Sequence, residues 1–198
     1  TVADGHGGTA TNTLTVTIHG TNDAPQVTSA IAAINEDQAS VSGILPVPTD
    51  IDAGDTPSYV PQTAASGLYG SFTLQANGSY TYALNNALPV VQQPGVGAQL
   101  TEVVNYTVSD GHGGTATNTL TITIRGANDA PQVSAAVASI NEDQASVSGT
   151  LPVPTDIDAG DTLSYVPQTG ALGLYGSFSL QANGNYVYTL NNALAAVQ

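Results

Sequence analysis

The sequence predicts an all-β chain, organised as tandem Greek-key β-sandwiches of about seven strands each. Three observations carry this. A long block returns at a fixed offset, apolar and polar residues alternate at period two, and turn-forming residues punctuate the short runs.

The repeat sets the frame. Asp4-Gly-His-Gly-Gly-Thr-Ala-Thr-Asn-Thr-Leu-Thr returns unchanged at Asp110, an offset of 110 − 4 = 106 residues. Asn22-Asp23-Ala24-Pro25, Asn35-Glu36-Asp37-Gln38 and Asp50-Ile-Asp52-Ala-Gly-Asp55 return at the same offset. About 74 of 92 alignable positions are identical, roughly 80%. A unit of this length is a small domain rather than a solenoid turn. We therefore expect residues 1–22 to be the C-terminal strand of a preceding repeat, 23–128 a complete sandwich, and 129–198 an incomplete second one. The chain reads as a piece of a longer array whose function is to span distance.

The strands follow in order. Residues 26–33 supply strand A. Residues 39–47 and 57–62 supply B and C around the Asp50–Asp55 loop. Strands D (71–75) and E (79–84) flank Asn77-Gly78, a strong hairpin signal. A long connection over 85–100 includes a short helical turn near 85–91. Strand F (101–109) puts Val104, Tyr106 and Val108 on one face. Strand G (115–125) does the same with Leu120, Ile122 and Ile124, opposite a row of threonines. The glycine-rich turn Asp110-Gly-His-Gly-Gly joins F to G. With few Phe and neither Met nor Trp, the core is expected to be built from Tyr, Val, Ile and Leu.

Charge limits the function. Fifteen acids face one base, Arg125, for a net charge of −14. Nucleic acid is excluded as a partner, because phosphate contacts need clustered Lys and Arg. No apolar run is long enough for a membrane span, so direct membrane insertion is not expected. With no cysteine, no disulfide can brace the fold. Cations are the available means of neutralising the acids and stapling the domains.

Greek-key topology sorts the acids to the ends of each sandwich. Asp50, Asp52, Asp55 and Asp110 fall at the top, beside the incoming Asn22-Asp23. Glu36, Asp37 and Glu102 fall at the bottom, beside the outgoing Asn128-Asp129. The middle junction thus gathers Glu36, Glu102, Asn128, Asp129, Asp156 and Asp158, with Asp161 close by and Glu142 at the base of the second copy. Such an oxygen-only set suits Ca²⁺, which takes roughly six to eight oxygen ligands. Magnesium keeps its waters, and zinc and copper want Cys or paired His. The rival reading is that each Asp or Asn only forms its turn. The Asp50–Asp55 loop is not an EF-hand, since its glycine comes too early and the closing Glu is missing. His6 and His112 read as exposed turn residues. His19 becomes Arg125 in the next copy. No nucleophile–base pair or phosphate loop points to an enzyme.

The run Ser109-Asp-Gly-His-Gly-Gly-Thr-Ala-Thr-Asn-Thr-Leu-Thr-Ile-Thr-Ile, followed by Gly126-Ala-Asn-Asp-Ala-Pro, resembles the VCBS repeat of large bacterial adhesins exported by type I secretion, the RTX adhesins. The Asn128-Asp129-Ala130-Pro131 linker resembles the calcium-binding linker of cadherins. The resemblance implies an immunoglobulin-like or cadherin-like sandwich, Ca²⁺ at interdomain linkers, an extracellular bacterial surface location, and an extender role in adhesion and biofilm formation. It matches Glu36 and Glu102 to the basal acids of one domain, and Asp156 and Asp158 to the top-loop pair of the next. The nonapeptide calcium repeats of the RTX C-terminal region are absent from the sequence. Neighbouring repeats of the same chain are the expected partners. Two rival functions are a filament, in which Thr1–Asn22 completes another copy's sandwich by strand exchange, and a carbohydrate-binding module.

Overall fold

The computed structural model describes every residue from Thr1 to Gln198. A small hairpin opens the chain, β1 (Val2–Ala3) against β2 (Thr9–Ala10). Residues 11–22 then run exposed and without regular structure. Leu14, Val16 and Ile18 match Leu120, Ile122 and Ile124 in the repeat, yet here they lie 71–89% exposed. A strand sequence without a partner sheet has nowhere to place its hydrogen bonds.

The first sandwich comprises β3 (Ala30–Asn35), β4 (Ser40–Ile44), β5 (Ser58–Tyr59), β6 (Gln62–Ser66), β7 (Gly70–Leu74) and β8 (Ser79–Leu84). The helical turn α1 (Pro89–Gln92) follows, then the long strands β9 (Gln99–Ser109) and β10 (Thr115–Arg125). One sheet has the order β3-β10-β9-β5 and the other β4-β8-β7-β6. The alternation read from the sequence becomes burial. Leu120, Ile122 and Ile124 of β10 and Val104, Tyr106 and Val108 of β9 face inward, against Phe72, Leu74, Tyr82 and Leu84 of the opposite sheet. Each fully buried large apolar side chain stabilises by roughly 1.5–3 kcal/mol, so these two inner faces dominate the fold. Tyr59 and Tyr106 are buried as well. Their hydroxyls donate to the carbonyls of Pro46 and Thr28, so neither phenol is stranded in the core.

The structure departs from the sequence reading at three elements. Strand A does not start at residue 26. Gln26 makes only a bridge to Thr49, and the regular strand begins at Ala30. Strand C splits in two. β5 pairs with β9 in one sheet, and β6 pairs with β7 in the other, which makes eight strands. The break falls at Val60-Pro61, where proline lacks a ladder donor. The β6–β7 pairing shifts register near Ala64, whose φ is +45°. The helical turn sits at Pro89–Gln92, where proline suits the first helical position.

The second copy forms only the sheet β11-β14-β13-β12, from β11 (Ser146–Thr150), β12 (Gln168–Leu172), β13 (Gly176–Leu180) and β14 (Asn185–Leu190). Its pairings repeat those of β4, β8, β7 and β6. Residues 136–141 repeat β3 in sequence but form no strand, because no equivalent of β10 lies beside them.

One pairing matters most for the site. β3 lies parallel to β10, in register from Leu120 opposite Ala30 to Arg125 opposite Asn35. Parallel neighbours end at the same edge. Glu36, just past β3, therefore emerges beside the linker that follows β10.

Candidate metal centre

At that edge the Glu36 amide donates to the Arg125 carbonyl at 2.9 Å. The Ala127 amide donates to Glu36 Oε1 at 2.5 Å. The linker then turns into the second copy, where the Asp129 amide donates to Asp158 Oδ2 at 2.8 Å. Asp158 is set by its own loop, since its amide donates to Asp156 Oδ1 at 3.0 Å, an aspartate turn. The outcome is a convergence of Glu36, Asp129 and Asp158, with one carboxylate oxygen from each lying within 4.8 Å of the others. Asp156, Asp158 and Asp161 form a second such group in the same loop.

The electrostatics are unbalanced. Glu36 is 2% exposed and Asp158 is 5% exposed. Glu36 Oε2, Asp129 Oδ2, Asp156 Oδ2 and Asp158 Oδ1 are shielded from solvent and accept no hydrogen bond. Burial pushes the Glu36 carboxyl above its usual range. The Ala127 hydrogen bond opposes that shift, and the charges of Asp129, Asp37 and Asp158 add to it. Burial also raises Asp129, with help from the charges of Asp37, Asp158 and Asp156. Buried, unpaired carboxylate oxygens are costly in any fold. Here the acids that carry them fall in two groups that share Asp158, with no Lys or Arg in either.

The top of the first sandwich repeats part of this arrangement. The Asp23 amide donates to Asp52 Oδ2 at 2.6 Å, and the Asp52 amide to Asp50 Oδ1 at 3.0 Å. Asp50, Asp55 and Asp110 bring ligand atoms within 4.8 Å of one another. Asp110 is held by the amides of His112 and Gly114 at 2.7 and 3.1 Å and by the Asn22 side chain at 2.9 Å. The Asn22 bond is the main reason its carboxyl is lowered from the usual value. Asp50 Oδ2 and Asp55 Oδ2 are buried without a partner.

The remaining expected residues fall outside these groups. Glu102 is buried at the base of the first sandwich. Its Oε2 accepts from the Tyr69 amide at 2.8 Å and the Tyr82 hydroxyl at 3.0 Å. Asn128 turns its amide back to the Asp129 carbonyl at 2.5 Å. Glu142, the second-copy match of Glu36, is exposed. His112 is more than an exposed turn residue. Its side chain is 63% exposed, but Nδ1 lies 3.1 Å from Asp55 Oδ1. Its adjacency to Asp110 was the available signal. Gln92, which lines the junction with Asp129 and Asp156, had none.

The comparisons agree with this architecture. The description "Bacterial cadherin-like domain" matches residues 22–126 and 128–198. A curated relative, the calcium-binding lectin RapA2 of Rhizobium johnstonii, is 30% identical over 152 residues, which is 69% of this chain and 63% of that protein. The chain thus spans under two thirds of that relative. Drosophila N-cadherin EC1-4 superposes with a TM-score of 0.52 at 17% identity, over 88% of this chain and 42% of that one. Mouse cadherin-23 EC22-24 gives 0.47 at 21% identity, over 86% and 54%. No helix is long and apolar enough to cross a membrane. The fold is a cadherin-like β-sandwich, and the matched domains are of a structural rather than an enzymatic kind. The chain belongs to the bacterial cadherin-like domain family.

Proposed function

We propose that the chain is a calcium-rigidified extender of a bacterial surface adhesin, with 1–22, 23–128 and 129–198 as successive pieces of the array. The observation that carries this is the Glu36–Asp129–Asp158 group. Its carboxylates come from one sandwich, the linker and the next sandwich, and each has a shielded oxygen with no partner. A hard divalent cation fits that donor set, because every available ligand is oxygen. Glu36, Asp129, Asp156, Asp158 and Asp161 would hold it at the junction. Asp50, Asp55 and Asp110, with Asp23 and Asp52 beside them, would do so at the top of the first sandwich. Bound there, Ca²⁺ supplies positive charge and ties two domains to one linker. The repulsion that would bend an acidic string is then removed, and the array stiffens. The calcium-binding relative supports this reading. The VCBS and RTX assignments, the surface location and the role in biofilms extend it. Melting with Ca²⁺ and with EDTA tests it. Calcium should raise the melting temperature by mass action, and Mg²⁺ at equal concentration should do much less. Identical curves in calcium and EDTA would reject the staple.

A second reading, carbohydrate binding, is favoured by the word lectin in that relative's name. A glycan array probed with and without calcium tests it. Calcium-dependent binding to a defined sugar class is the expected positive, and a blank array rejects it.

A further inference from the structure

The connection after α1 crosses the junction. The Ala159 amide, in the acidic loop of the second copy, donates to the Gln93 carbonyl of the first sandwich at 2.9 Å. Gly95 sits against the Asp158 side chain, 3.6 Å from where its own Cβ would stand. Gln92 shares the wall of a cavity of about 420 Å³ with Asp129, Asp156 and Thr155. These contacts join the two copies without a carboxylate accepting any of them.

The connection is itself fixed. Val91 is fully buried in the core, and Pro94 is buried too. The Ala98 amide donates to the Gly95 carbonyl at 3.0 Å, and the Gly126 amide to the Ala98 carbonyl at 3.0 Å. Gly126 has no room for a side chain, since a Cβ would overlap the Pro94 and Gly95 carbonyl oxygens. Gly20 holds the same place in the repeat and has open space around it. Neither glycine has a left-handed φ. The need for glycine at 126 is therefore steric, imposed by the loop packed on it.

We propose that the Gln93–Ala98 connection is a metal-independent brace, which holds the Asp156–Asp161 loop against the linker and so assembles the junction acids before any cation arrives. Gln93, through its carbonyl, and Gly126, through its missing side chain, are positioning residues. The brace is a contact between domains and stands whatever the acids bind. Its link to calcium rests on the function proposed above.

The test uses the whole chain. It has no cysteine, so Ala83→Cys and Thr189→Cys give two unique spin-label positions on exposed strand faces. Pulsed EPR distances are recorded in EDTA. Without calcium, the labelled parent should show a dominant, narrow closed-distance population beside a minor open one. Gly126→Ala, and separately Ala159→Pro, which deletes the donor, should raise the open population roughly fivefold, the effect of losing about one net hydrogen bond. Gly20→Ala should change nothing. Ala159 lies outside the first sandwich, so its variant tests the brace even if Gly126→Ala unfolds. A broad parent distribution in EDTA, or an Ala159→Pro distribution identical to the parent, overturns the proposal. Calcium calorimetry on the same protein separates the two claims. No calcium binding with a narrow parent distance rejects the extender reading and keeps the brace. Calcium binding with a broad parent distance does the reverse.

Discussion

The Asp129 amide donates to the Asp158 carboxylate at 2.8 Å, and the Asp23 amide does the same to Asp52 at 2.6 Å. Both pairs are 29 residues apart. The same lock, linker to top loop, is thus built twice. It uses one oxygen of each acid, and at Asp158 it leaves Oδ1 buried and free. Asp158→Ala removes the lock and the free oxygen together. Asp158→Asn keeps an acceptor for the amide and removes the charge. In EDTA, the spin-label distance should broaden for Asp158→Ala and stay close to the parent for Asp158→Asn. Equal broadening in both would mean that charge, not the hydrogen bond, holds the linker.

The linker and loop acids should govern the response to calcium. Asp129→Ala removes a linker carboxylate and Asp156→Ala a loop one, while the core of the first sandwich is left intact. Small-angle scattering of the parent should show the residual open population lost on adding Ca²⁺, so that the average particle becomes stiffer. Both variants should respond weakly, and Ser79→Ala, on a strand start outside the acid groups, should respond as the parent does. A full response in the two acid variants would reduce these residues to turn formers.

The pH dependence has a definite sign. Glu36 and Asp129 have folded-state values above the unfolded ones. A raised carboxyl contributes stability that is present below its unfolded pKa and lost as pH rises through the folded one. Without metal, the melting temperature should therefore climb as pH falls from neutral towards the ordinary carboxylate range. Asp110 is lowered, so its opposing contribution fades only at more acidic pH. With calcium present, protons compete for the same oxygens, and the calcium-induced gain should shrink over that range. A melting temperature in EDTA that falls steadily from neutral to mildly acidic pH would contradict this.

Glu102 belongs to the stability of the first sandwich in a way that can be measured. Tyr82 is buried and its hydroxyl is one of two donors to Glu102 Oε2. Burial, then the Glu102 charge, raises the Tyr82 phenol far above its usual value. Tyr82→Phe leaves the carboxylate with the Tyr69 amide alone on that oxygen. The expected loss is about 1–3 kcal/mol, read as a lower urea midpoint at unchanged slope. An unchanged midpoint would show that water replaces the hydroxyl without cost.

What was legible in the sequence was whatever depends on local pattern. Leu120, Ile122 and Ile124 declared an inward face by alternation. Asn77-Gly78 declared its hairpin, and the exact repeat placed Asp50 and Asp156 in equivalent loops. The split of strand C was not legible, because membership of one sheet or the other depends on partners far along the chain. Pro61 was its one local sign. The parallel pairing of β3 with β10, which carries Glu36 to the linker, was likewise invisible. So was the turn of Glu102 towards Tyr82. The junction contact from Gln93 to Ala159 uses backbone atoms alone, and no side-chain motif can announce it.

The central claim is that the junction carboxylates bind calcium, and calorimetric titration of Ca²⁺ into the chelator-stripped chain tests it most directly. The parent should show saturable binding, and Glu36→Gln with Asp158→Asn should abolish the junction component while leaving any binding at Asp50, Asp55 and Asp110 in place. A parent that takes up no calcium, or a double variant that binds with the parent's stoichiometry and affinity, would contradict the account.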